Sequence, residues 1–371
     1  MAGLYIHIPF CKQACVYCNF HFSVALSGAD AMTDALCSEI VLRKNYLANE
    51  PVETIYFGGG TPSLLPSTQI ARILELIHAH FNVLPDAEIT LEANPDDLVN
   101  GKTGELKLAG INRLSIGVQS FYDEDLQWMH RAHNAGQAKE SIEDALSHGM
   151  LLTADLIFGS PITTDEMWQH NLETAHGLGL QHLSCYGLTL EERTSLQKMV
   201  NTGRALAPDE DKSLRQFKMA MEYLSANGWE QYEISNYCRN GAYARHNSNY
   251  WKGVSYLGIG PSAHSFNGIS RSWNVSDNKQ YVNNISEGSL PMETELLTAE
   301  NRFNERLMTG LRTKWGVAIK DLENIKVPNS EFYQEICSLE EQNLITTTDN
   351  IILLTEAGKA VADSISAGLF L

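Results

Sequence analysis

Six times in its first 188 residues the chain runs through a short β-branched or apolar stretch and then a longer amphipathic one. The short stretches are LYIHI (4–8), VETIYF (52–57), EITLE (88–92), RLSIGV (113–118), TADLIF (153–158) and HLSCYGL (182–188). Between them lie helical patterns such as AMTDALCSEIVLRKNYL, TQIARILELIHAHF and AKESIEDALSHG. A strand followed each time by a helix implies a parallel sheet, because parallel neighbours need a crossover between them. Six such units predict an α/β fold, either a doubly wound sheet or an incomplete barrel, and periodicity alone leaves both open. In either, functional groups gather where the strands end at their carboxyl termini.

The chemically notable residues fall there. Cys11, Cys15 and Cys18 follow the first strand, and Gly58-Gly59-Gly60-Thr61-Pro62 follows the second. Glu92 closes the third, Gln119 follows the fourth, and Asp155 lies inside the fifth. Three thiols are an odd number: a disulfide uses two, and a structural zinc site closes with four ligands. Thiolates are soft ligands suited to iron–sulfur clusters or zinc. A C-x3-C-x2-C loop can hold three irons of a cubane and leave the fourth open to an exogenous chelator. The zinc alternative needs His7 or His21 as fourth ligand, and the spacing lacks the paired C-x2-C arms of common zinc modules. The glycines let a ligand approach the backbone, but no phosphate loop is present, because the lysine of GxxxxGK[ST] is missing.

Charge and composition exclude other classes. A net charge of −18 argues against wrapping a polyanion. No apolar run reaches a membrane span and no signal-peptide pattern opens the chain, so a cytoplasmic protein is expected. Seven unevenly spaced cysteines fit a reducing interior. Cys37, Cys185 and Cys337 are expected to be buried structural thiols.

Beyond residue 200, DKSLRQFKMAMEYLSANG reads as a helix with a glycine stop, and an aromatic, polar stretch follows. From about 296 the pattern suggests a separate module. Its run NLITTTDNIILLTEAGKAVADSI reads as strand, turn, strand, helix, the shape of a winged helix. From Glu300 to Leu371 seven basic residues face eleven acidic ones, a net of −4. That balance suits a cap or docking surface better than a DNA reader, so no nucleic-acid partner is expected. The expected organisation is a barrel over 1–230, a connecting segment over 231–295 and a winged-helix-like domain over 296–371.

Tyr5-Ile6-His7-Ile8-Pro9-Phe10-Cys11, with Cys15, Tyr17 and Cys18, resembles the radical S-adenosylmethionine (SAM) superfamily. More narrowly it is similar to the branch that holds oxygen-independent coproporphyrinogen oxidase (HemN) and the heme chaperone HemW. GGGTPS, LEANPDD, LSIGVQSF, DLIFG, YEISNY, RHNSNYW and GIGPSAHS extend the resemblance over nearly the whole chain. The resemblance implies an incomplete (β/α)6 barrel with a C-terminal winged-helix-like cap. It implies that Cys11, Cys15 and Cys18 hold a [4Fe–4S] cluster whose open iron binds SAM. Tyr5, Tyr17, Gly59, Gly60, Thr61, Glu92, Gln119, Arg131 and Asp155 match SAM-contacting positions. Arg131, within DLQWMHRAHN, reads unaided as a helix-surface residue.

Two departures separate the members of the branch. The oxidase has a further cysteine two residues after the third ligand, where this chain has Phe20. It also carries a long segment before its cluster motif, whereas four residues precede Tyr5 here. Both are features of the chaperone. Arg245-His246-Asn247-Ser248-Asn249-Tyr250-Trp251 fits an HNxxYW signature implicated in heme binding, which makes His246 the implied heme residue, with Cys238 and His264 as competing ligands. The resemblance thus implies a protein that binds heme and delivers it to acceptor heme proteins of the respiratory chain. The alternative is a radical SAM oxidoreductase acting on a tetrapyrrole, and productive SAM cleavage stays open. Any membrane association is expected to run through a partner protein, and an exposed cluster edge would support a homodimer.

Overall fold

The computed structural model describes residues 1–371. Strands β1 (Ala2–Ile8), β2 (Val52–Gly59), β3 (Val83–Ala93), β4 (Arg113–Gln119), β5 (Leu151–Phe158) and β6 (His182–Gly187) are the six read from the sequence. They lie side by side in chain order and all pair in parallel. Consecutive order with no reversal excludes the doubly wound alternative. Because the sheet does not close on itself, the result is an incomplete barrel.

Strand parity builds the two faces. Leu4, Ile6 and Ile8 of β1, Ile55 and Phe57 of β2, and Leu114, Ile116 and Val118 of β4 are fully buried under the helical layer. Each such side chain contributes roughly 1.5–3 kcal/mol by leaving water. The alternate positions face the barrel interior and are polar, small or aromatic: Tyr5, Tyr56, Thr90, Glu92, Ser115, Asp155, Ser184 and Tyr186. One face carries stability and the other carries chemistry.

Both edges of the barrel are extended. At one side β6 pairs with β8 (Asn236–Cys238), which pairs with β7 (Glu230–Glu233), both antiparallel. At the other, β1 pairs in parallel with β9 (Ser255–Ile259), with Ala2 opposite Ser255. Antiparallel strands β10 (His264–Phe266), β11 (Ser270–Asn274) and β12 (Met292–Leu296) complete a twelve-stranded sheet. The stretch 231–295, read as a connecting segment, therefore supplies strands to this sheet. Its Tyr237, Leu257, Ile259 and Tyr281 belong to the same apolar core as β1–β6.

The C-terminal module has its own core, in which Phe303, Leu307, Leu322, Phe332, Ile336 and Ile352 meet. Helices Ala299–Leu311, Ile319–Ile325 and Ser330–Glu341 pack on a small antiparallel sheet of β13 (Val317–Ala318), β14 (Ile345–Thr348) and β15 (Ile351–Leu354), the winged-helix arrangement. Cys337 corrects the expectation of a buried thiol, for it is exposed. Phe332, Ile336 and Leu339 take the inward face of its helix at i, i+4 and i+7, leaving Cys337 on the outer one. Cys37 and Cys185 are buried as expected. The module docks through backbone: the Ile234 amide donates to the Arg312 carbonyl at 3.0 Å and the Lys314 amide to the Tyr232 carbonyl at 3.0 Å. This pairing covers the outer edge of β7, which would otherwise be left open.

Candidate functional site

A cavity of about 420 Å³ opens at the carboxyl end of the barrel. Cys11, Cys15, Cys18, Tyr17, Gly59, Gly60, Thr61, Glu92, Gln119, Arg131 and Asp155 all line it. The structure thus brings together eleven residues drawn from five βα units.

The cysteine loop is anchored to the glycine turn. The Gly60 amide donates to the Ile8 carbonyl at 2.8 Å, and the Thr61 amide to the Phe10 carbonyl at 2.6 Å. A Cβ at Gly60 would lie 2.5 Å from the Phe10 carbonyl oxygen, and one at Gly59, where φ is +111°, 2.6 Å from the His7 ring. Glycine is required here because the chain itself approaches so closely. The Thr61 hydroxyl donates to Cys11 Sγ at 3.5 Å.

Arg131 is no surface residue. Its Nη1 donates to Cys15 Sγ at 3.2 Å, and its Nη2 to Asn94 Oδ1 at 2.6 Å and the Gly117 carbonyl at 2.8 Å. Its Nε is buried without a partner. Burial works against this guanidinium's charge, but the neighbouring Tyr17 and Cys15 more than offset it, so the pKa is raised. Burial pushes the Cys18 thiol up to about 11 and also raises Cys11.

Two carboxyls face the thiols. Glu92 accepts from the Tyr56 hydroxyl at 2.8 Å and the Gly59 amide at 3.1 Å. Burial lifts its pKa to about 7 despite those bonds. Asp155 accepts from Ser115 at 3.1 Å, and burial lifts it to about 6. Gln119 sits in a left-handed conformation, φ +66°, at the end of β4.

The donor set fits a cluster better than a single ion. Three thiols line the cavity, whereas a structural zinc site closes with four ligands. A cubane gives each thiolate its own iron and spreads the sulfurs. His7 has no free nitrogen to offer: Nδ1 accepts from the Tyr5 hydroxyl at 3.1 Å and Nε2 donates to the His21 carbonyl at 2.9 Å.

Tyr5 and His246 lie deeper, around a second cavity of about 210 Å³ within the barrel. Tyr56, Glu92, Ser115 and Tyr186 border both cavities. The helix Arg245–Trp251 closes this space from the amino end of the strands. Glu88 of β3 caps that helix by accepting from the Arg245 and His246 amides at 3.1 and 3.0 Å. His246 is buried, ring-stacked on Tyr56 with centroids 5.0 Å apart. Its Nδ1 is bonded to the Thr54 hydroxyl at 2.8 Å and its Nε2 to the Tyr250 hydroxyl at 3.0 Å. His246 therefore sits at the opposite end of the barrel from the cysteines. Cys238 is fully buried in β8, and His264 stands exposed on β10.

Sequence reasoning missed Tyr56 and Asn94, which orient Glu92 and Arg131. Parity could have found Tyr56, which alternates with the buried Ile55 and Phe57 and so faces inward. Asn94 lies two residues after Glu92 within LEANPDD.

The radical SAM superfamily model matches residues 5–175, and the model of the HemN C-terminal domain matches residues 297–361. The chain is 33% identical to the heme chaperone HemW of Bacillus subtilis, over 98% of each chain. It is 32% identical to the protein of that name from Mycobacterium tuberculosis, over 98% of this chain and 93% of that one. Its fold matches the solved structure of coproporphyrinogen III oxidase (HemN) from Escherichia coli, described as a radical SAM enzyme. That match has a TM-score of 0.86 at 24% identity, covering 100% of this chain and 90% of the other.

Proposed function

The chain belongs to the HemW family within the radical SAM superfamily, and from that footing we propose that it is a heme chaperone, one that binds heme and passes it to acceptor heme proteins. The acceptors would be heme proteins of the respiratory chain. Cys11, Cys15 and Cys18 would hold a [4Fe–4S] cluster, and the adjoining cavity would take SAM. Reductive cleavage of the carbon–sulfur bond of SAM is the chemistry such a cluster supplies when bound. The chain's own part is positional. Arg131 and Asn94 form a polar wall beside Cys15, while Glu92 and Asp155 offer negative charge to a sulfonium or ammonium group. The Tyr56 and Gly59 donors hold the Glu92 carboxyl in place.

The observation that carries the reading is full-length likeness to proteins named as heme chaperones, together with Phe20 at the cavity rim. Phe20 stands 68% exposed where the oxidase has a further cysteine. Anaerobic reconstitution followed by heme titration and transfer to an apo-cytochrome tests it. Saturable heme uptake, release to the acceptor, and loss of cluster iron and its visible absorption in Cys15→Ala are the expected results. Stoichiometric SAM consumption with carbon dioxide release from coproporphyrinogen, without heme transfer, would replace it with the oxidase reading.

A further inference from the structure

A heme site needs a side chain with a free lone pair, a flat apolar surface for the macrocycle, and positive charge for its propionates. Two of the three candidate ligands are closed off. Cys238 has no exposed surface. His246 is 4% exposed, with a hydroxyl on each ring nitrogen. Either would have to leave the core to meet iron.

His264 is different. It opens β10 with an exposed side chain, and nothing hydrogen-bonds to its ring. Directly opposite on β11 stands Trp273, whose ring lies 6.1 Å from the imidazole at 31°. Phe266 projects from the same face two residues on, opposite Arg271. The Arg271 guanidinium is paired with Glu305 through one nitrogen, which leaves its other nitrogens for a propionate. Glu295 and Glu293 stand opposite Arg271 and Trp273 on β12. The other face of these strands, with Ser265 and Ser272, is buried. Within β9, Gly258 pairs with Tyr5 of β1, so the His264 face continues the surface that forms the barrel interior. Two strand spacings separate His264 from Tyr5, about 10 Å.

We propose that His264 is the axial ligand of the heme this chain carries, with the porphyrin against Trp273 and Phe266 and a propionate drawn to Arg271. The assignment rests on the heme-binding reading above. Partial enclosure by its neighbours, and then the Arg271 charge, lower the imidazole's pKa. The ring is thereby kept in the neutral form that ligates metal. The HNxxYW helix reaches this face only indirectly: Tyr250 meets Tyr256 edge-on at 4.7 Å, and Tyr256 lies 6.3 Å from Phe266.

The test is a heme titration followed by absorption spectroscopy on the full chain, comparing wild type with His264→Ala and His246→Gln. His264→Ala, altered at an exposed position, keeps the wild-type circular dichroism and melting curve. It loses on the order of 10- to 100-fold in heme affinity, the range that even supporting partners of a metal site command. Its Soret band shifts, free imidazole restores the band, and His246→Gln binds as wild type does. Wild-type affinity and spectrum in His264→Ala overturn the assignment, whatever His246→Gln does, and a loss confined to His246→Gln puts the ligand in the buried motif. Absence of saturable binding in wild type overturns the heme reading itself, a separate result from the failure of one variant.

Discussion

Glu92 and Asp155 are buried carboxyls whose protonation meets neutral pH. With folded pKa values of about 7 and 6, each binds its proton more tightly in the fold than in the unfolded chain. The fold therefore loses stability as pH rises from the ordinary carboxyl range through those values. A cationic ligand reverses the preference, because it favours the ionised form. SAM affinity should accordingly rise with pH between 5.5 and 8, measured by equilibrium dialysis. Glu92→Gln should flatten that rise, cost about 10- to 100-fold at pH 8, the worth of one charged hydrogen bond, and melt no lower than wild type there. The sequence made the cysteines and Glu92 legible because spacing and strand parity are local signals. Arg131 was not legible that way: its contacts to Cys15, Asn94 and Gly117 come from three separate segments.

The helix Arg245–Trp251 shows the same limit one level up. Its sequence is short, polar and aromatic, and only its docking explains it. Glu88, which caps its first turn, lies 157 residues earlier. The six barrel strands were legible because each is followed by helical crossover sequence. Strands β7 to β12 were not, since runs of three to five residues carry little periodicity and owe their pairing to distant partners. A structural role for the helix predicts that His246→Ala, which removes two hydrogen bonds and a stacked ring, destabilises the fold by roughly 2–4 kcal/mol in urea denaturation. Burial holds the pKa of this ring at about 3. The unfolded chain takes up a proton that the fold refuses, so wild type loses stability as pH falls from 6.5 toward 3. His246→Ala should show a shallower decline over that interval.

At the scale of the whole molecule, the barrel and its extensions are one sheet, and the winged-helix module closes one end of it by backbone pairing. No helix is long and apolar enough to cross a membrane. The strand that begins the chain is interior to that sheet, paired on one side with β2 and on the other with β9. Its second partner begins at Ser255. At about 5–20 residues per second of synthesis, one edge of β1 waits on the order of 12–50 s after it is made. Throughout that wait the Cys11–Cys18 loop hangs from a half-paired strand, open to oxidants and to stray metal. Ribosome-bound chains stalled before β9 has emerged should therefore be cut by protease within their first sixty residues, and chains stalled after β12 should resist. Assembly of the proposed iron–sulfur site would accordingly wait on β9, and any factor that shields the nascent thiols would act during that interval.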